Sequence, residues 1–262
     1  MAARRGAVML DFTDQVVLVT GASSGIGAAV AQGFAGRGAR VVVVHYNRNR
    51  DGAEQVVDAI VGAGGSASVV AADLTDTAAA ARLVDGVVSQ HGRIDVLVNN
   101  AGDLLRRSPV VELSDEDFHR VMDLNMTSVF AMCRRTVPVL LRQGSGSIVN
   151  VTSVAARNGG GGGSVMYATS KGAVSTFTRG LAKELAPKGI RVNAVAPGII
   201  LTPFHDRHTD AAQMEALVGG IPMGRPGRPE ECVGAVLFLA SPAMSGFVTG
   251  QVLEVNGGQL TP

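Results

Sequence analysis

Residues 41–44 are four valines in succession. A β-branched run without polar alternation fits a strand covered on both faces, which is the situation in a parallel sheet flanked by helices. Similar short apolar runs occur at 16–20, 68–71, 94–99, 147–151, 190–195 and 251–255. Between them lie segments with the period of a helix, at 25–37, 53–61, 77–90, 115–140, 165–185, 211–218 and 229–239. Strand alternating with helix predicts an α/β fold: a Rossmann-like, doubly wound parallel sheet of about seven strands with helices on both faces. The alternation continues to residue 255 without a linker. Residues 11–262 therefore read as one domain and residues 1–10 as a flexible N-terminal tail.

Composition removes several functional classes. Hydrophobic residues at 46% against charged residues at 17% allow a large core. Lys+Arg 23 against Asp+Glu 22 leaves a net charge of +1, so nothing in the balance points to nucleic acid. Cys133 and Cys232 have no CxxC partner, which fits packing residues in a reducing cytoplasm. No run approaches the ~18 consecutive apolar residues of a membrane span.

Ligands of such sheets bind beyond the carboxyl ends of the strands. The first strand leads into Gly21-Ala22-Ser23-Ser24-Gly25-Ile26-Gly27 and then a helix. Glycines there let the backbone turn and approach a pyrophosphate, while the helix N-terminus offers free N–H groups and positive potential. Tyr167 and Lys171 are four apart and share a helical face. Tyrosine's ordinary pKa of ~10 makes it a poor base at neutral pH. A neighbouring ammonium lowers that value, so Lys171 is expected to tune Tyr167 as an acid/base.

The glycine spacing G-x-x-x-G-x-G, Asn99-Asn100-Ala101-Gly102, Ser153 and Tyr167-Ala168-Thr169-Ser170-Lys171 occur in that order. With Asn125, Pro197-Gly198 and Thr202, they make the chain resemble the short-chain dehydrogenase/reductase family over residues 12–259. The resemblance implies hydride transfer between a nicotinamide cofactor and a carbonyl or secondary alcohol. Tyr167 would protonate the substrate oxygen and Ser153 would hydrogen-bond it as charge develops. Lys171 would also bind ribose hydroxyls, and Asn125 would serve a water relay. Cofactor contacts would come from Gly21, Ser23, Ser24, Gly25, Ile26, Gly27, Asn100, Ala101, Gly102, Pro197, Gly198, Ile200 and Thr202, with Asp73 and Leu74 beside the adenine. The members it looks most like are β-ketoacyl-carrier-protein reductases and sugar or polyol dehydrogenases, and the family is usually tetrameric.

Cofactor choice is set near the end of the second strand, which reads His45-Tyr46-Asn47-Arg48. A carboxylate there holds the ribose 2′-OH of NAD, and an arginine attracts the 2′-phosphate of NADP. Arg48, with Asn47 helping, favours NADP(H), with NAD(H) as the alternative, and Tyr46 is expected among the cofactor contacts. Ser24 stands where the family often adds a basic residue.

One spacing departs from the family. Ser153 to Tyr167 spans 14 positions, one more than the pattern, and the glycines at 159–163 could absorb the extra residue. Residues 202–220 read as a substrate lid. His205 and His208, with Asp206 and Asp210, lack the pattern of a metal site, so no metal is expected. Arg106 and Arg107 are expected at the surface, where they could meet an anionic substrate or carrier. A non-catalytic nucleotide-binding scaffold is the reading from another class, and the presence of Tyr167 and Lys171 speaks against it.

Overall fold

Val41, Val42, Val43 and Val44 are all buried, and alternate members of the run enter two different cores. A computed structural model describes residues 10–261 of the chain. The expected N-terminal tail lies outside the described residues apart from Leu10. The strands are β1 (Val16–Val19), β2 (Val41–Tyr46), β3 (Ala67–Ala71), β4 (Val96–Asn99), β5 (Gly146–Val151), β6 (Ile190–Pro197) and β7 (Val252–Val255). They form one sheet in the order β3-β2-β1-β4-β5-β6-β7, and every neighbouring pair is parallel.

The helices are α1 (Gly25–Ala35), α2 (Arg50–Gly62), α3 (Thr77–His91), α4 (Asp115–Met122), α5 (Ser128–Gln143), α6 (Ala155–Asn158), α7 (Val165–Leu185), α8 (Pro203–His208), α9 (Ala211–Gly219), α10 (Glu230–Ala240) and α11 (Pro242–Ser245). On one face Leu18, Val43, Leu97 and Ile148 pack with Leu83, Met132 and Val174 from α3, α5 and α7. On the other, Val17, Val42, Val44 and Val149 pack with Phe34, Ile60 and Val236 from α1, α2 and α10. Each fully buried aliphatic side chain contributes about 1.5–3 kcal/mol, so the two-sided run is a large part of what holds the sheet.

Three features differ from the sequence expectation. The segment 115–140 is not one helix: a five-residue π-turn, Asp123–Thr127, separates α4 from α5. The second helix begins at Arg50, earlier than expected, because the Asn49 side chain accepts a hydrogen bond from Gly52 N and caps it. The short helices α6, α8 and α11 were not legible as periodic patterns, since one helical turn carries no period.

Below the carboxyl end of the sheet runs a buried polar ladder. Asn99 Nδ2 donates to Asn150 Oδ1 at 2.9 Å, and Asn150 Nδ2 donates to Thr178 Oγ1 at 2.9 Å. It fixes β4, β5 and α7 against one another, and α7 carries Tyr167. Replacing Asn150→Ala removes both bonds and leaves a small void. We predict a loss of about 2–3 kcal/mol in stability, read as a lower urea midpoint at an unchanged slope.

Candidate active site

β1 lies between β2 and β4, so the chain leaves it in opposite directions and a crevice opens above its carboxyl end. The two sides of the crevice are laced together. Thr20 Oγ1 accepts from Asn100 N and Ala101 N at 2.9 and 3.0 Å. Asn100 Nδ2 donates to Thr20 O and Gly21 O at 2.9 and 3.0 Å. At Gly21, with φ of +61°, a Cβ would stand 2.9 Å from Ala101 Cα. At Gly27 it would run into Gly21 O and Asn100 Nδ2. These two glycines are required by backbone contact, whatever binds above them.

A cavity of about 1050 Å³ runs from this turn to the lid. Gly21, Ser23, Ser24, Gly25, Ile26, Asn47, Arg48, Asp73, Asn100, Ala101, Gly102, Pro197, Gly198, Ile200 and Thr202 line it, as do Ser153, Tyr167 and Lys171. Four sequence-selected residues do not. Gly27 is packed beneath the turn. Tyr46 packs against the core beside α1 and α2, and Leu74 belongs to the core on the opposite face. Asn125 is fully buried behind the cavity wall. Asp73 is held by Thr75 at 2.7 Å, and this contact with the nearby Arg48 and Asn47 keeps its carboxyl below the usual range.

The cradle suits a dinucleotide. Ser24 caps α1 without spending its side chain on the helix, so the first-turn N–H groups stay free at the end of the cavity lined by Ser23, Ser24, Gly25 and Ile26. No acidic residue stands in that first turn. The exposed Arg48 lines the cavity close to Asp73 and supplies positive charge there.

At the other end, β5 and α7 bring the expected catalytic group together. The Ser153 hydroxyl hydrogen-bonds the Tyr167 phenol and also accepts from Ala155 N at 3.1 Å. Thr152 is turned away, its hydroxyl occupied by Lys171 O and Ser175. The Lys171 ammonium donates to Val151 O at 2.9 Å and lies 5.8 Å from the centre of the Tyr167 ring.

Asn125 sits in the π-turn. Its Nδ2 donates to Val121 O and Asp103 O at 3.0 and 2.8 Å, so the side chain takes the place of a regular helical bond and widens the helix. Its Oδ1 is buried without a partner among the described residues. A Cβ on Gly102 would lie 2.5 Å from that oxygen and 3.0 Å from Lys171 Nζ. Gly102 thus leaves a small polar space between an acceptor and the ammonium.

The expected depression of the Tyr167 phenol is not what the geometry gives. Burial pushes it up to about 12; the Ser153 hydrogen bond opposes this and Asp103 adds to it. Burial likewise draws Lys171 down to about 8. The ring retains some exposed surface, but it opens on the cavity, and Phe204 of the lid covers it at 5.6 Å between ring centres. Desolvation disfavours the charged form of each group.

Two arginines expected at the surface have structural partners. Arg106 pairs with Asp117 at 2.6 Å. Arg107 is a junction: it donates to His208 O at 2.6 Å and to Gly161 O and Gly162 O at 3.0 and 3.1 Å. The glycine loop that absorbs the extra residue docks here too, with Ser108 N donating to Gly163 O at 3.0 Å. Gly163 needs its φ of +78°, and a Cβ there would lie 2.6 Å from Ser108 N. The lid is tied to the same loop by Asp103, which accepts from His208 Nε2 at 2.6 Å and Arg207 at 3.1 Å. The other candidate histidine, His205, bonds Thr209 at 2.9 Å.

Arg107→Ala removes three hydrogen bonds from the substrate side and none from the cofactor cradle. We predict a KM for substrate raised about tenfold or more with cofactor affinity unchanged, measured by steady-state kinetics beside calorimetric cofactor titration.

A family profile described as enoyl-(acyl carrier protein) reductase matches residues 21–259. A 3-oxoacyl-[acyl-carrier-protein] reductase of Synechocystis is 40% identical over 252 residues, covering 96% of this chain and 99% of that one. A putative NAD(P)-dependent gluconate 5-dehydrogenase of Beutenbergia cavernae, solved with bound NADP, superposes with a TM-score of 0.89. It is 39% identical and covers 95% of this chain and 98% of its own. A 7α-hydroxysteroid dehydrogenase complexed with NADH and 7-oxo glycochenodeoxycholic acid also superposes at 0.89, with 36% identity and 95% of each chain covered. The chain belongs to the short-chain dehydrogenase/reductase family and is an oxidoreductase of the kind that acts on CH–OH groups.

Proposed function

We propose that this chain is an NADP(H)-preferring carbonyl reductase whose substrate is a 3-oxoacyl thioester. The observation that carries the catalytic part is the joining of Ser153, Tyr167 and Lys171 at one end of a cavity whose other end is the glycine turn. A bound nicotinamide supplies the hydride. Tyr167 holds a proton on its phenol oxygen and donates it to the substrate oxygen. Ser153 hydrogen-bonds that oxygen as it gains charge. Lys171 and Asn125 border the polar space beside Gly102 through which the phenol recovers its proton. Asn125 also holds the 103 loop through Asp103 O.

NADP(H) is favoured by Arg48 and Asn47 at the exit of β2, and by the NADP bound to the Beutenbergia protein. The thioester rests on similarity to the Synechocystis reductase over almost the whole chain. Of the arginines near the mouth, Arg106 and Arg207 are ion-paired and Arg107 is held by backbone carbonyls. A sugar-acid or polyol dehydrogenase is the second reading. It is favoured by the polar mouth, with Asp103, Asn158, His205 and Arg207, and by the gluconate 5-dehydrogenase likeness.

We also place the chain in the cytoplasm as a homotetramer. No helix among the described residues is long and apolar enough to cross a membrane. Phe118 on α4, Phe130 on α5 and Phe247 after α11 leave large apolar surface exposed, as a self-associating protein would. Mass photometry at nanomolar protein should find four-chain particles, and a monomer there would reject this assembly.

The test of function is a panel of 3-oxoacyl thioesters, sugar acids and small ketones, each with NADPH and NADH, followed at the nicotinamide absorbance band. Turnover of the thioesters with NADPH at least about tenfold above the rest is expected; preference for a sugar acid selects the second reading. The raised phenol also sets a pH dependence. A phenol held near 12 stays protonated at neutral pH, so carbonyl reduction should be level between about pH 6.5 and 8. Alcohol oxidation needs the phenolate and should keep rising with pH above 8 in initial-rate profiles.

A further inference from the structure

His45 is the last fully buried residue of β2, and no part of the chemistry above uses it. Its ring lies between two backbone groups. Gly21 N donates to Nδ1 at 3.0 Å, and Nε2 lies 3.0 Å from Ala72 O. A backbone N–H can only donate and a carbonyl can only accept. The ring is therefore the neutral tautomer with its proton on Nε2, and both nitrogens are engaged. Ala22 N donates to the backbone carbonyl of the same residue at 2.8 Å. Side chain and backbone of His45 thus grip the two residues that open the glycine turn, and the ring anchors them to the exit of β3.

We propose that His45 is a positioning residue for the dinucleotide's phosphates, which holds Gly21 in place while neutral and releases it when doubly protonated. The proposal rests on the cofactor reading given above. Gly21 has φ of +61° and Ala101 Cα close against it, so it has little room to settle elsewhere. A second proton on the ring would turn Nδ1 into a donor facing the Gly21 N–H, itself a donor. One of the two must then move, and the turn that presents N–H groups to a diphosphate moves with it.

The charged surroundings are sparse. The turn over residues 20–27 has no ionisable side chain. The exit of β3 brings Asp73, whose charge favours protonation of the ring. The exit of β2 brings Tyr46 and Arg48, the latter beside Asp73. The exit of β4 contributes no charge before Asp103. Burial of the ring outweighs both the hydrogen bond to Ala72 O and the charge of Asp73, and lowers its pKa below the usual histidine value. The sign is then fixed. The grip is complete at neutral pH and is lost as pH falls through the lowered value, so dinucleotide affinity should fall on the acid side.

Calorimetric titration of the whole protein with NADP⁺ and NAD⁺ between pH 5.5 and 8 tests this. NAD⁺ is included because it lacks the 2′-phosphate, which itself titrates in that range. His45→Asn places an uncharged acceptor near the position of Nδ1, and His45→Phe removes both ring contacts. At pH 7.5 His45→Phe should weaken both dinucleotides about tenfold, and His45→Asn should recover most of the loss. Affinity of the unsubstituted protein for NAD⁺ should fall about tenfold per pH unit once below the ring's titration, while His45→Asn stays level. Thermal melting without cofactor identifies a variant that fails to fold, and the pH comparison with His45→Asn then carries the test alone. An acid decline in His45→Asn as steep as in the unsubstituted protein overturns the proposal with the cofactor reading intact. Failure of the unsubstituted protein to bind either dinucleotide at pH 7.5 overturns both.

Discussion

The bonds between Thr20 and Asn100 hold the site open. β1 and β4 are neighbours whose chains turn away from each other, and any such pair leaves a gap above it. Four hydrogen bonds between these two residues and their neighbours fix the width of that gap. Gly21 and Gly27 fit only because they lack a Cβ there. From this seam the cradle is completed by His45 on one side and by Ala101 and Gly102 on the other. The Asn99–Asn150–Thr178 ladder carries the same alignment across to β5 and α7, where Ser153 and Tyr167 stand.

The catalytic end is a compromise between burial and charge. Lys171 lies one helical turn from Tyr167, yet its ammonium is engaged by Val151 O and the phenol is raised by burial. The arrangement keeps the phenol protonated, which is the state a reductase needs before each turnover. Asn125 belongs to the same economy of space. Its π-turn opens α4–α5 so that one amide can reach the 103 loop and still turn an acceptor toward Lys171.

The fold was legible because valine runs buried on both sides leave an unmistakable pattern, and the motif residues lie at strand ends that the pattern locates. Ser153, Tyr167 and Lys171 could be singled out for that reason, and they come together at one end of the cavity. Less visible were features that depend on three-dimensional closure. His45 reads as one more residue of a strand, and only the approach of Gly21 and Ala72 gives its ring a task. Arg107 reads as surface, because its partners are carbonyls more than fifty residues away. Leu74 and Tyr46 follow motif positions but pack into the cores. The π-turn has the apolar spacing of an ordinary helix, so nothing in the period of residues 115–140 marks it.

The central claim is that Tyr167 is the proton donor at this site. Tyr167→Phe keeps the ring, its packing against Phe204 and the cofactor cradle, and removes one oxygen. Turnover of the best substrate, measured together with calorimetric NADP⁺ binding, separates chemistry from folding. If Tyr167 is the proton donor, the rate falls by at least about a hundredfold with cofactor affinity within a factor of two. A variant that turns over within a few-fold of the unsubstituted protein would contradict it.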